Sequence, residues 1–314
     1  MTRPDLTIVM PAHCGERWID ATLRSVAAEA TDRIELIVID SSPSPATIEI
    51  ARRYTDRIRL QLHQRPDLLS WQSKTQFAVG IARSDHICWL HQDDIWLPGR
   101  AATVFRWIDA APDAALHLAP TAIIDGRDRR LGTWHCPLPE GRPVPREMLL
   151  SRLLVQNFIS TPAPVFTKAA WEACGGIDSA LWYTADWDLW LKLACAGPVI
   201  YHNEITTGFR VHGGSLTVKG SRDIDDFTWQ METVLNRHLS SFDGCSRAVE
   251  RAARASIKMN VALAAAAAGR SGGMIGAGAA VLALGPFGMA AYLRDSRLVE
   301  RIAPRLKAQL LGAF

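Results

Sequence analysis

The sequence predicts an α/β protein built on a mostly parallel sheet, and three observations carry that expectation. Short β-branched runs alternate with amphipathic stretches through the first half of the chain, a βαβαβαβ rhythm that implies right-handed crossovers between parallel strands. Pro11, Asp40 and Asp93 each fall where such a run stops, at the carboxyl ends beyond which sheets of this kind bind their ligands. In the third, HICWLHQDDIWLP at residues 86–98, apolar residues 87–90 run straight into two adjacent carboxylates before a proline opens a helix. Strand, acid tip and helix is how an α/β protein presents oxygen ligands to a divalent cation, and such a cation usually carries phosphates.

Taken in order, Leu6-Thr7-Ile8-Val9-Met10 is a buried-strand candidate, and residues 16–28 follow as a helix. Ile34-Glu35-Leu36-Ile37-Val38-Ile39 is a second strand, stopped by Asp40 and a Ser/Pro turn, with a helix near residues 46–54. Ile58-Arg59-Leu60-Gln61-Leu62 alternates as a third strand, residues 70–82 are helical, and residues 87–90 are the fourth strand. From about Ala114 to Arg210 the pattern is mixed. Strands near residues 115–118 and 122–125 lead to a Pro-rich loop at 136–145, a helix and the apolar run 163–166. A helix at residues 186–196 ends at Gly197-Pro198, a standard stop. After His212 strand character is lost, and from about Asp223 the chain reads as wholly helical.

A length of 314 residues fits one large domain or a domain with an appendage, and we divide it into an α/β part, 1–220, and a helical C-terminal region, 221–314. Hydrophobic content of 48% supports an ordinary buried core. A net charge of +3 without a dense Lys/Arg stripe argues against nucleic acid as a partner. The six cysteines are scattered, with no C-x-x-C and no zinc spacing, and read as reduced cytosolic thiols. No secretory h-region is visible at the amino terminus, so the expected location is cytoplasmic. Residues 271–293 carry no charge over 23 positions, which meets the length test for a membrane span, but six of them are glycine and one is proline. A packed helical hairpin turned at 269–273 is the expectation; peripheral contact with the inner face of a membrane is the second reading.

The motifs MPAHCGE, IELIVIDSSPSPAT, ICWLHQDDIWLP, CGGID, YTADWDLWLKLA and FRVHGGS stand in that order between about residues 6 and 216. Together they resemble a family 2 glycosyltransferase of the GT-A fold, a Rossmann-like mixed sheet flanked by helices, here followed by a C-terminal helical extension. By itself the pair Asp93-Asp94 also fits a helix N-terminal region favoured by the dipole. The resemblance implies a metal site whose retained acid is Asp93, holding Mn²⁺ or Mg²⁺ against the donor diphosphate. His91 stands where the family pattern has its first acid, facing the ribose or the metal, and Asp94 supports the loop.

Asp40 reads locally as an Asx-turn into Ser41-Ser42-Pro43, and the resemblance implies a contact with the nucleotide base. Pro11-Ala12-His13 ends the first strand where the family's backbone cradles the base, with His13 in the place of an aromatic. On the helix from Asp186, residues Trp187, Trp190, Leu191 and Ala194 form one apolar stripe, and Asp188 and Lys192 look like a solvated i,i+4 pair on the opposite side. Asp186 itself is either a dipole-favoured acid or, as the resemblance implies, the general base. His212 matches a third metal ligand and Arg210 a phosphate contact. Gly175-Gly176 fits a helix C-cap and, by resemblance, a turn leaving room for the sugar; Trp182 is available to stack on an acceptor sugar, and Lys74 and Arg65 are phosphate candidates.

The expected activity is therefore inverting transfer of a sugar from a nucleotide-diphospho-sugar to the hydroxyl of a saccharide, lipid-linked or other acceptor. A second reading keeps the fold as a catalytically weak or inactive nucleotide-sugar-binding partner. A third, a sugar nucleotidyltransferase, calls for a Gly-rich, Lys/Arg-bearing loop after the first strand, which Pro11-Ala12-His13-Cys14-Gly15-Glu16 does not supply.

Overall fold

The uncharged run LTIVMPA forms β1 (Leu6–Ala12), which the computed structural model buries along its whole length. The structure describes residues 3–214, 223–242, 245–270 and 272–310. β2 (Ile34–Asp40) pairs with β1 in parallel and is equally buried. Its mid-strand acid Glu35 is tolerated there because Thr7 donates to it at 2.7 Å and Arg83 pairs with it at 2.7 Å. β3 (Arg59–Gln64), with its alternating pattern, takes the edge beside β2, and β4 (His86–Trp89) pairs with the other side of β1. The crossovers are α1 (Ile19–Ala27), α2 (Ala46–Arg52) and α3 (Trp71–Ile81), close to their expected positions.

After β4 the chain departs from simple alternation. Ile95–Trp96 forms a short β5, and the helix expected to open at Pro98 starts only after Gly99, whose φ of 86° gives a left-handed entry to α4 (Arg100–Ala110). β6 (Leu116–Leu118), β7 (Thr121–Ile124), β8 (Arg130–Trp134), α5 (Arg146–Val155), β9 (Val165–Thr167), α6 (Lys168–Ala173), α7 (Ala185–Ala196), β10 (Val199–Tyr201) and β11 (Thr207–Arg210) follow. The main sheet has seven strands in the order β10-β6-β9-β4-β1-β2-β3, and β9 alone runs against the rest. A second sheet, β5-β11-β7-β8, stands at the carboxyl end of β4. β8, β10 and β11 were not expected; at three to five residues they show no readable period.

The C-terminal region is helical in the described residues: α8 (Ile224–Ser240), α9 (Arg247–Ala267), α10 (Met274–Leu282), α11 (Gly285–Ser296) and α12 (Leu298–Leu310). The division expected at residues 220 and 221 lies outside the described residues, as do Ser215 of the last motif and Ser271 of the expected hairpin turn. Phe227, Met231, Val234 and Leu235 of α8, with Ala253 and Ile257 of α9, enter the same core as Trp187 and Leu191 of α7. α10 and α11 instead pack on α9 as a smaller cluster around Met259, Ala262, Ala277, Val281 and Tyr292.

One expectation on α7 is corrected. Asp188 is fully buried, not solvated: Lys192 pairs with it at 2.9 Å, and Arg237 and His238 of α8 each reach it at 2.9 Å. The i,i+4 spacing identified Lys192 as a partner, but Arg237 and His238 of α8, which complete the hydrogen bonding of the buried carboxylate, come from 49 and 50 residues away.

Candidate active site

The carboxyl ends of β1 and β4, the amino-terminal end of α7 and the segment after β11 surround a cleft of about 650 Å³. Pro11, His13, His91, Asp93, Asp186, Arg210 and His212 all line it, so seven of the eight expected site residues meet in one place. Asp40 is the eighth and lies fully buried at the end of β2. Its Oδ1 accepts from the Ser42 backbone N–H at 3.0 Å and the Ser42 hydroxyl at 2.5 Å, the Asx-turn expected from sequence. Its Oδ2 has no hydrogen-bond partner among the described residues, an unusual state for a buried carboxylate oxygen.

The turn after β1 is assembled around that carboxylate. Ser42 Oγ accepts from the Cys14 N–H at 2.7 Å, and Thr47 Oγ1 accepts from the Gly15 N–H at 2.9 Å. Gln92 clamps the same turn to the acid loop, accepting from His13 N–H at 2.8 Å and donating to His13 C=O at 3.0 Å. A Cβ on Gly15 would stand 2.4 Å from Gln92 Oε1, so any larger residue there would displace the Gln92 clamp. Nothing about Gln92 in the sequence signalled this role. His13 is exposed, its Nδ1 3.1 Å from Ser41 Oγ. Lys74 lies beneath, its Nζ donating to Ala12 C=O at 2.7 Å; burial lowers its ammonium to about 8, with Asp40 pulling the other way. Arg65 is paired at the surface with Asp67 and is not among the cleft-lining residues.

The two adjacent acids have different surroundings. Asp94 is 1% exposed, and its Oδ1 accepts from the Arg210 backbone N–H at 2.9 Å, pinning the loop to β11. Burial and the neighbouring Asp93 charge push the Asp94 carboxyl well above its ordinary value, with Arg210 opposing. Asp93 keeps its side chain 24% exposed and faces His212, whose Nε2 is 2.9 Å from Oδ2. Burial would raise it too, but the His212 hydrogen bond and the fields of His91 and His212 prevail and hold it below the usual range. His91 has a buried Nε2 with no partner among the described residues, and burial holds its imidazole below the ordinary value.

This donor set fits a divalent cation. Ligand atoms of His91, Asp93 and Asp94 lie within 4.8 Å of one another. His212 adds an imidazole nitrogen beside this group, its Nε2 2.9 Å from Asp93 Oδ2. Arg210 is placed as a brace: its guanidinium donates to Asp93 C=O at 2.7 Å and Asp125 C=O at 2.9 Å and pairs with Asp128, while Nη2 has no described partner. Asp125 and Asp128, on the β7–β8 turn, carried no sequence signal for this contact. Trp18 forms one wall, its ring 5.2 Å from that of His212 and under the Arg210 guanidinium.

Asp186 stands where the cleft meets a smaller chamber of about 120 Å³; Thr161, Tyr183 and Phe209 line both. Its Oδ1 accepts from the Trp187 N–H at 2.7 Å and its Oδ2 from Asn157 Nδ2 at 3.1 Å. Burial pushes this carboxyl up to about 6, the two hydrogen bonds opposing. Asn157 was not anticipated, because the loop after α5 meets α7 only in three dimensions. Asn260 of α9 and Arg301 of α12, hydrogen-bonded at 2.8 Å, line the chamber, so the C-terminal helices contribute to it directly. Trp182 lines the cleft with its indole N–H donated to Asp226 at 2.6 Å. Gly175 and Gly176, with φ of 76° and 66°, make the C-cap of α6, where a Cβ on Gly176 would meet the Trp171 ring at 2.8 Å.

Residues 7–172 match the family described as Glycosyl transferase family 2. An uncharacterized glycosyltransferase of Rickettsia prowazekii is 20% identical over 71% of this chain and 69% of its own length. Among solved structures, S. aureus TarS superposes with a TM-score of 0.60 at 15% identity over 81% of this chain; the chain spans 43% of TarS. The mannosyltransferase PcManGT from Pyrobaculum calidifontis, solved with GDP-Man and Mn²⁺, superposes with a TM-score of 0.57 at 18% identity over 96% of this chain and 88% of its own. These likenesses show the GT-A fold.

Proposed function

The chain belongs to glycosyl transferase family 2, and from that membership we propose that it moves a sugar from a nucleotide-diphospho-sugar to an acceptor hydroxyl with inversion at the anomeric carbon. The setting is assembly of a bacterial-type polysaccharide, glycolipid or other glycoconjugate. The observation that carries the mechanism is the position of Asp186, a single carboxyl raised to about 6 at the junction of a cleft with a metal-type donor set and a separate chamber.

The donor occupies the cleft, with Pro11 and His13 beside the nucleoside, while the buried Asp40 fixes the Ser41-Ser42 turn against which they stand. The donors named for solved relatives, GDP-Man for PcManGT and UDP-GlcNAc for residues 1–349 of TarS, support this class of substrate. Asp93 and His212, with His91 alongside, hold Mn²⁺ or Mg²⁺, and the mixed oxygen and imidazole set suits Mn²⁺ better. When bound, the cation supplies Lewis-acid stabilisation of the leaving diphosphate. Arg210 fixes the acid loop and keeps Nη2 for a phosphate oxygen.

The acceptor hydroxyl enters from the chamber side. Asp186 takes its proton as the acceptor oxygen bonds to the anomeric carbon and the bond from that carbon to the diphosphate oxygen breaks. One carboxylate acting as base suffices, and no covalent sugar–enzyme intermediate forms. Aromatic Tyr183 and Phe209, with polar Asn260 and Arg301, suit a saccharide or a lipid-linked sugar.

Thermal-shift measurements with UDP-, GDP- and dTDP-sugars, with and without Mn²⁺, test donor and metal together. A protein unmoved by all of them overturns the reading. For catalysis, Asp186→Asn should leave donor binding intact and lower turnover by about 10²–10⁴-fold. Unchanged turnover removes Asp186 as the base. A catalytically silent binding protein would show the thermal shift with no turnover by the unmodified chain.

A further inference from the structure

We propose that the outward face of α10 and α11 inserts into the surface of a bilayer containing anionic phospholipid. This goes beyond the transferase reading and does not depend on it. α10 and α11 lie at the surface, yet no residue from 271 to 293 carries a charge. Ile275 is 85% exposed, Leu282 69% and Phe287 91%. Ile275, Ala279 and Leu282 fall at i, i+4 and i+7 on α10, and Phe287, Ala290 and Leu293 repeat the stripe on α11. The opposite sides of the same helices are apolar as well, because Ala277, Val281 and Tyr292 pack into the cluster on α9. A helical stretch such as 274–293 that is apolar all round and still exposed needs a cover other than water.

The geometry selects how it is covered. Among the described residues no single helix is long and apolar enough to cross a membrane, and α10 and α11 are bent by 116°. With nine and twelve residues they reach about 14 and 18 Å at 1.5 Å per residue, against a hydrocarbon core of about 30 Å. Such a bent pair lies in one interface with its apolar side down.

Charge selects the occupant. Of 35 Lys/Arg and 32 Asp/Glu in the chain, ten and three follow Ser246, so this end is basic while the remainder has an acidic excess. Arg247, Arg251, Arg254 and Lys258 are all exposed on α9 at i, i+4, i+7 and i+11, one basic stripe. The stripe borders the apolar bend, since the Arg251 guanidinium donates to the Ala283 carbonyl between α10 and α11. A second copy docking symmetrically would set these stripes against each other. Anionic headgroups neutralise them instead.

Co-sedimentation of the full chain with phosphatidylcholine vesicles, with or without phosphatidylglycerol, tests this. Binding should require phosphatidylglycerol and weaken as salt is raised. Arg247→Gln with Lys258→Gln should weaken it about thirtyfold, and Ile275→Ser with Leu282→Ser and Phe287→Ser should abolish it. All five positions are exposed, so unchanged thermal unfolding is the control for folding. Failure of the unmodified chain to bind these vesicles overturns the proposal, as does equal binding by the triple variant. A concentration-dependent dimer that the triple variant loses, without vesicle binding, assigns the face to a second copy and overturns it too.

Discussion

Replacing Asn157 by Ala tests the base assignment without touching the base. Asn157 Nδ2 donates to Asp186 Oδ2 at 3.1 Å, and a bond of this kind favours the charged carboxylate. Hydrogen bonds to charged groups contribute roughly 1.5–3 kcal/mol. Asp186 is partly exposed and water replaces some of the loss, so about 1–1.5 kcal/mol is the differential effect, or about one pH unit. Burial already pushes the carboxyl up to about 6; losing the bond raises it further. The active form is deprotonated, so kcat/KM for the acceptor in the unmodified enzyme should rise with pH, reach half its maximum near 6, and level off above. In Asn157→Ala the acid limb should move upward by about one unit, with the plateau nearly unchanged. At pH 6 the variant then retains about a fifth of the activity of its parent, while above pH 8 the two converge. Initial-rate release of nucleotide at saturating donor, across about pH 5–9, measures both profiles. A limb that stays in place on losing Asn157, or a profile flat across that range, would refute Asp186 as the proton acceptor.

Two further outcomes follow from the same geometry. With donor present, Mn²⁺ should raise the melting temperature of the unmodified chain further, whereas Asp93→Asn and His212→Ala should each abolish most of that rise; equal stabilisation of all three would remove both residues from the metal site. Asp188→Asn should cost about 2–3 kcal/mol and about 4–6 °C in Tm, less than a fully buried pair because Arg237 is 40% and Lys192 21% exposed. Burial opposes ionisation of Asp188, but His238 and Lys192 outweigh it and lower its carboxyl, so this stabilisation is present above the unfolded carboxylate value and lost as pH falls through the folded one. A melting curve unchanged at neutral pH would show that the cluster contributes nothing.

What the sequence revealed follows from the range of each signal. β1 to β4 and their crossovers were legible because uninterrupted apolar runs such as Leu36-Ile37-Val38-Ile39 demand burial on both faces of a sheet. β5 and β11 were not, since Ile95–Trp96 becomes a strand only by pairing with Thr207–Arg210 more than 100 residues away, and Thr207–Arg210 only by pairing with β5 and β7. The same reason hid the supporting contacts. Asp93 and Asp186 stood out as acids at element ends, whereas Gln92, Asn157 and Asp128 look like any loop polar residue until the fold brings them to His13, Asp186 and Arg210. Asp188 shows the limit most plainly: a helical projection gave its face, but only the packing of α8 decided whether that face met water.

The paired acids illustrate what three-dimensional context adds to a motif. Two carboxylates on neighbouring residues cannot both remain charged cheaply in a buried loop, and here the surroundings separate them. Asp94, held by the β11 backbone and raised by its burial and its neighbour, acts as the anchor of the loop. Asp93, lowered by His212 and His91, keeps its charge and its exposure. On the proposed reading a divalent cation held by one carboxylate and neutral imidazoles would keep a net charge of about +1, where a pair of ionised acids would cancel it. That residual charge is what a departing diphosphate requires. On the same reading, His91 in the place of an acid would strengthen the field at the leaving group, at the cost of weaker attraction for the free cation. The consequence is an enzyme that takes up its metal chiefly together with the donor, so that donor and Mn²⁺ should each raise the affinity for the other by the same factor.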